Sequence, residues 1–101
     1  DHHSLFLNFR PDHTQFSHIA FEVDDIDAVM MGGNYMNSRG WETESGPGRH
    51  YHGSNIFWYT RNPSGGSTEY FSDMDRMDDD WQPRVFEQTQ GYASWLIGGR
   101  P

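Results

Sequence analysis

The chain has no cysteine and no lysine, and it contains no long hydrophobic run. Without cysteine there is no disulfide, thiolate nucleophile or cysteine-based metal site. No apolar run approaches the roughly 18 residues of a membrane-spanning helix, and no signal-peptide pattern opens the chain. The basic side chains are few and all arginine, and the net charge is −8, which argues against a nucleic-acid or anionic-membrane partner. We therefore expect a cytoplasmic protein without membrane or nucleic-acid partners.

Aliphatic residues are also scarce, whereas aromatic residues make up 16% of the 101 residues. Few aliphatic side chains and a high net charge approach the composition of disordered chains. Aromatic side chains each bury a large area and compensate for the missing aliphatic surface. The length favours a single folded domain whose aliphatic core is thin.

The hydrophobic pattern predicts strands with one helix between the second and the third. The helix is predicted to follow Asp24 as N-cap and to end at Arg39 and Gly40. A turn is predicted at residues 46–48, and an irregular acidic tail follows Asp73. The predicted strands are Ser4–Phe9, Phe16–Val23, Trp41–Ser45, Asn55–Thr60 and Thr68–Ser72.

The second predicted strand has one apolar and one polar face. Ile19, Phe21 and Val23 alternate toward a core, which leaves His18 on the opposite face. Glu69 lies within the last predicted strand, so His18 and Glu69 meet if both strands line one concave sheet. Two histidines and one carboxylate form the ligand set of non-haem Fe(II) sites that activate oxygen.

Two further residues are candidates for proton transfer and substrate hydrogen bonding. These are His50, after the predicted glycine turn, and Tyr59, ten positions before Glu69. Taken singly, each histidine is more often a surface or hydrogen-bonded core residue than a ligand. The run Asp78–Asp80 is interpreted as a solvated charged segment.

The stretch from Phe16 to Asp73 resembles the C-terminal part of the extradiol ring-cleaving dioxygenases, within the vicinal oxygen chelate superfamily that includes glyoxalase I and the bleomycin-resistance proteins. His18, at the start of this stretch, and the Asn-Pro-Ser-Gly segment before Glu69 are shared widely among glyoxalase-like modules. The Gly-Pro-Gly-Arg-His turn with Tyr59 downstream, and the upstream Asp-His-His-Ser-Leu, are more specific to the ring-cleaving enzymes. The matching segments are residues 1–5, 16–23, 46–50, 57–59, 62–65 and 69–70.

The resemblance implies an α+β fold: one βαβββ unit (16–73), preceded by the last strand of another unit and followed by a C-terminal extension (74–101). The mixed, curved sheet would form half of a barrel-like metal site. It also implies Fe(II) as cofactor, with Mn(II) as an alternative, and cleavage of a catechol-type ring by O2.

The resemblance also implies roles for individual residues. His18 and Glu69 match two metal ligands, and His3 matches the histidine that assists oxygen activation and proton transfer. A one-residue slip of the alignment would put His2 in that place. His50 matches the histidine that hydrogen-bonds the catecholate or an intermediate, and Tyr59 matches the tyrosine near the substrate hydroxyl.

One expected ligand has no counterpart. In the family the first metal-binding histidine lies on a strand well upstream of the His-His pair, and His13, in a predicted turn, is a poor substitute. We therefore expect the upstream half to be absent from this chain and supplied by a longer polypeptide or a second chain. The isolated chain should bind iron weakly. The expected partners are a second copy of the chain or the missing upstream segment.

Two alternative functions are compatible with the same motifs. A glyoxalase-type isomerase or hydrolase would share the fold and the carboxylate without needing His3, His50 and Tyr59. A non-catalytic, bleomycin-resistance-like module would bind its ligand in an aromatic groove formed by Phe57, Trp58, Tyr70 and Phe71.

Overall fold

The computed structural model describes residues 1–88 and 91–99, which form one helix and a five-stranded sheet. The elements are β1 (His18–Glu22), α1 (Ile26–Ser38), β2 (Thr43–His50), β3 (Ile56–Arg61), β4 (Ser67–Ser72) and β5 (Ala93–Leu96). The strand order is β1-β4-β3-β2-β5; β1 runs parallel to β4 and every other neighbouring pair is antiparallel. The α+β class and the βαβββ order are confirmed, and the sheet is open.

The helix begins one residue later than predicted. Asp25, with an extended backbone, is the N-cap, and its side chain accepts a hydrogen bond from the Ala28 N–H at 2.8 Å. Asp24 lies one residue too early, because the first helical residue is Ile26 and the N-cap is the residue directly before it. The predicted end is confirmed, since Arg39 is the C-cap and Gly40 follows at φ +92°.

The main hydrophobic core lies between α1 and the central strands. Val29, Ile56 and Trp58 are buried together, with Val23 and Met30 packed against them. Ile19 and Phe21 do not join this core as predicted, since they are 48% and 49% exposed. The reason is that β1 is an edge strand, whereas α1 packs against β2, β3 and β4.

The predicted turn at residues 46–48 is wrong, because these residues lie inside β2. Register shifts relative to β3 on either side of Ser45 accommodate the irregular backbone. The Gly46 N–H donates to the Gly98 carbonyl, and the Pro47 carbonyl accepts from the Ile97 N–H. Proline is tolerated within a sheet at such bulges.

The two ends of the described chain also differ from the prediction. Residues 4–9 form no strand, and Leu7, for example, is 84% exposed. A strand needs a partner for its backbone groups, and neither sheet edge, β1 or β5, pairs with this segment. The tail, which the sequence predicted to be irregular, contains the strand β5, which pairs with β2 at the edge of the sheet. Among the described residues, no helix combines the length and apolar character needed to cross a bilayer.

The contact between α1 and β3 depends on a missing side chain. A Cβ at Gly33 would collide with the indole ring of Trp58. Alanine normally favours a helix over glycine by about 1 kcal/mol. Here we expect Gly33→Ala to lower the free energy of unfolding by about 1–3 kcal/mol, because the buried ring must shift.

Urea denaturation measures this change, with Asn34→Ala on the exposed side of the same helix as the control. The control should unfold at the same or a higher urea concentration than the unmodified chain. Equal or greater stability of Gly33→Ala would contradict the packing described.

Candidate metal-binding and catalytic site

The face of the sheet opposite α1 carries a buried carboxylate, that of Glu69 in β4, which is only 4% exposed. Glu69 lies beside Ala20 of β1 and Tyr59 of β3 in the strand register. Because side chains alternate along a strand, His18 shares a face with Ala20 and therefore with Glu69. The parallel pairing of β1 with β4 thus brings His18 and Glu69 together, as the sequence predicted.

His18, His50 and Asn55 lie close to the Glu69 carboxylate. His18 Nε2 lies 3.2 Å from Oε1, and His50 Nε2 lies 3.7 Å from Oε2. The Asn55 side-chain amide donates to Oε2 at 3.3 Å. Burial by itself raises the pKa of Glu69, but hydrogen bonds and charge from His18 and His50 outweigh it and lower the pKa. The carboxylate is therefore ionised at neutral pH.

The His50 ring is held on several sides at the end of β2. Its Nδ1 lies 3.1 Å from the Tyr92 carbonyl oxygen, and its Nε2 lies 3.2 Å from the Tyr59 hydroxyl. The ring stacks on Phe57 with centroids 3.9 Å apart and an interplanar angle of 15°. His50 and Tyr59 are thereby placed beside Glu69.

Tyr59 is buried, and its ring meets that of His18 edge to face at 4.9 Å. Burial, followed by the charge of Glu69, raises the pKa of Tyr59 far above its ordinary value. Its hydroxyl therefore stays protonated and available as a donor at any physiological pH.

His3 lies at the margin of this cluster. Its pKa is lowered by burial and then by His2, and the charges of Glu69, His50 and His18 also act on it. His2 Nδ1 is 3.1 Å from His3 Nδ1, and the His2 ring packs against Trp81. His13 instead pairs with Asp12 at the surface. The charge of Glu69 opposes the lowering of the His3 pKa.

The structure adds two residues that the sequence interpretation missed, Asn55 and Tyr92. Asn55, just before β3, is 1% exposed, and its Oδ1 has no hydrogen-bond partner within the described part of the chain. An asparagine at a strand boundary looks like an ordinary turn residue, so its burial gave no sequence signal. Tyr92 lies in the tail, where no periodic pattern indicated a strand.

The aromatic groove considered for a binding module does not form. Trp58 lies on the helix side against Gly33, and Tyr70 lies on the same side against Gly32. Alternation places Phe57 and Phe71 on the opposite face. The four rings therefore cannot line one groove.

His18 and Glu69 together could hold a metal ion. Two donor atoms, each about 2.1 Å from one ion and at right angles, lie about 3.0 Å apart. The observed 3.2 Å between His18 Nε2 and Glu69 Oε1 fits two adjacent coordination positions. Within residues 1–88 and 91–99, however, no group of three or more His, Cys, Asp or Glu could hold a metal. These two donors are the contribution of the described chain.

Comparison with known proteins gives a similar protein sequence and several similar solved structures. No family model matches the chain. It is 37% identical over 75 residues to metapyrocatechase 2 from Cupriavidus necator, a match that covers 74% of this chain and 23% of that protein. The Mn(II)-bound glyoxalase from Novosphingobium aromaticivorans matches with a TM-score of 0.71 and 32% identity. That match covers 82% of this chain and 29% of the glyoxalase chain.

A further solved structure shows the fold. BphC, a halotolerant catechol dioxygenase, has a TM-score of 0.71 at 22% identity, covering 82% of this chain and 27% of that one. The chain thus spans about a quarter of the length of the proteins that it matches.

The contact between Asn55 and Glu69 can be tested by a substitution that keeps the shape of the side chain. Asn55→Asp replaces the amide donor by a second carboxylate beside Glu69. We expect a loss of about 1–3 kcal/mol in the free energy of unfolding at pH 7, because a buried charge-assisted hydrogen bond is replaced by repulsion. The loss should shrink as the pH is lowered, because a protonated carboxyl group can donate again.

Asn34→Asp on the exposed side of α1 is the control for the added charge, and urea denaturation is the measurement for both variants. If the two substitutions cost the same at pH 7, the Asn55–Glu69 hydrogen bond does not contribute to stability.

Proposed function

We propose that this chain forms the C-terminal part of an extradiol ring-cleaving dioxygenase. The premise is the confirmed resemblance of the chain to these enzymes of the vicinal oxygen chelate superfamily. The substrate would be a catechol-type aromatic, cleaved with O2. The match to metapyrocatechase 2 and the fold shared with a catechol dioxygenase support this. Residues 16–73 would form the βαβββ unit, and the remainder would form the C-terminal extension.

The observation that carries the proposal is the Glu69 carboxylate, buried on one sheet face with His18, His50 and Tyr59 around it. A buried carboxylate flanked by imidazoles is a costly arrangement that structural needs alone rarely require. His18 and Glu69 would hold Fe(II), or Mn(II) in its place. When bound, the metal would lower the pKa of a catechol hydroxyl and neutralise its charge.

The other side chains would handle the protons and the orientation of the substrate. His50 Nε2 faces the Tyr59 hydroxyl at 3.2 Å and would accept a hydrogen bond from a substrate hydroxyl. The Tyr59 hydroxyl would donate a hydrogen bond to the substrate. His3, at the edge of the cluster, would accept or return a proton. Each of these groups is a positioned donor or acceptor rather than a nucleophile.

The third protein donor would come from outside the described residues. We propose that a longer polypeptide or a second chain supplies it, because His18 and Glu69 fill two positions and, among residues 1–88 and 91–99, no third metal donor lies with them. Weak metal binding by this chain alone follows from that arrangement.

A glyoxalase-type isomerase or hydrolase is the second candidate. The observation that favours it is the 32% identity to the Mn(II)-bound glyoxalase. Such an enzyme would use His18 and Glu69 but would have no need for His50 and Tyr59 at hydrogen-bond distance from one another. Their contact therefore favours the dioxygenase.

Ring cleavage tests the proposed activity. The natural polypeptide that carries this sequence is reconstituted with Fe(II) without oxygen, given a catechol, and then exposed to O2. We expect a yellow ring-opened product, and we expect Tyr59→Phe to slow its formation because one donor at the substrate is lost. If the protein holds iron and several catechols give no product, the dioxygenase assignment fails.

Metal affinity tests the assigned ligands separately. We expect Glu69→Gln to weaken Fe(II) or Mn(II) binding at least about tenfold in anaerobic calorimetry, because a neutral amide replaces the anionic oxygen donor. Asp79→Asn in the exposed acidic run is the matched control and should bind as the unmodified chain does. Equal loss in both variants would show that the ion is held by general negative charge.

A further inference from the structure

The C-terminal strand β5 reaches back into the site through the residue that precedes it, Tyr92. β5 pairs with the end of β2, with Ala93 opposite His50. Gly48 permits this approach, since a Cβ there would lie 2.8 Å from the Trp95 carbonyl oxygen. The Ile97–Pro47 and Gly46–Gly98 backbone hydrogen bonds continue the attachment. The tail is thus fixed against the strand that ends in His50.

Tyr92 contacts the site at three points. Its carbonyl oxygen lies 3.1 Å from His50 Nδ1. Its ring meets the His50 ring edge to face at 5.0 Å and the Phe57 ring at 5.5 Å. Its hydroxyl is in hydrogen-bond contact with Ser45 and Tyr59. The ring and the hydroxyl therefore anchor the residue whose carbonyl faces the imidazole.

These contacts determine which nitrogen of His50 carries the hydrogen. A carbonyl oxygen can only accept, so Nδ1 must be the donor in that pair. In a neutral imidazole the other nitrogen, Nε2, then has a free lone pair. The Tyr59 hydroxyl lies 3.2 Å from that lone pair and can donate to it until a substrate hydroxyl takes its place. Without the carbonyl, Nε2–H would instead find a strong acceptor in Glu69 Oε2, 3.7 Å away.

We propose that Tyr92 is a positioning residue that holds His50 in the Nδ1–H tautomer and so keeps Nε2 as a hydrogen-bond acceptor within the site. It acts through its backbone carbonyl, which its ring and hydroxyl hold in place. The tautomer follows from the geometry alone. Its consequence for catalysis, a lone pair ready to accept a substrate proton, rests on the proposed function.

The tautomer can be read from nitrogen-15 NMR of the metal-free chain, because the two ring nitrogens shift differently when protonated. The measurement is made at pH 8, above the ordinary histidine pKa of about 6.5. The His50 signals are assigned by their loss in His50→Gln. In the unmodified chain we expect Nδ1–H as the major form of His50. A major Nε2–H form would overturn the proposal.

Two substitutions distinguish the contribution of the Tyr92 hydroxyl from that of its ring. Tyr92→Phe keeps the ring and the carbonyl, so the Nδ1–H form should persist. Tyr92→Ala removes the anchor, so the Nε2–H fraction should rise from a minority to a majority. Tyr35→Ala on the exposed side of α1 is the control and should leave His50 unchanged.

A folded Tyr92→Ala chain that retains the Nδ1–H form would overturn the proposal. If that variant does not fold, the tautomer of the unmodified chain still decides. Because the measurement uses neither metal nor catechol, its failure and the failure of ring cleavage are distinguishable.

Discussion

The buried carboxylate of Glu69 is the constraint on which the rest of the site depends. Removing an ionised group from water is costly unless hydrogen bonds and opposite charge replace its hydration. His18 and Asn55 contact the carboxylate directly and His50 Nε2 lies 3.7 Å from it, so three different parts of the chain surround it. The carboxylate therefore ties together β1, the end of β2 and the start of β3, and it stays ionised, which a metal ligand requires.

The fold separates this polar cluster from the hydrophobic core by using the two faces of one sheet. Alternation along β3 directs Trp58 toward α1 and Tyr59 toward Glu69. The helix approaches closely because Gly33 leaves room for the indole ring. On the polar face, β5 with Tyr92 covers the β2 end. A single sheet thus positions both candidate ligands on one face, with His18 more exposed than Glu69.

The sequence predicted the elements with strong local patterns and the residues with recognisable motifs. The helix, β3, β4 and the meeting of His18 with Glu69 follow from alternation, capping and the strand–helix–strand order. What failed depended on tertiary partners. Residues 46–48 resemble a turn locally and become a strand because β3 and β5 flank them. Residues 4–9 have a strand composition but no partner strand, and the burial of Asn55 and Tyr92 arises from distant segments.

The location of a bound metal tests the central claim most directly. Crystals of the chain grown with Mn(II), measured for anomalous scattering, would show the position of the ion. The account predicts a peak about 2.1 Å from both His18 Nε2 and Glu69 Oε1, with His50 and Tyr59 beside it but not bound to it. A peak at the acidic run Asp78–Asp80, with none between His18 and Glu69, would contradict it.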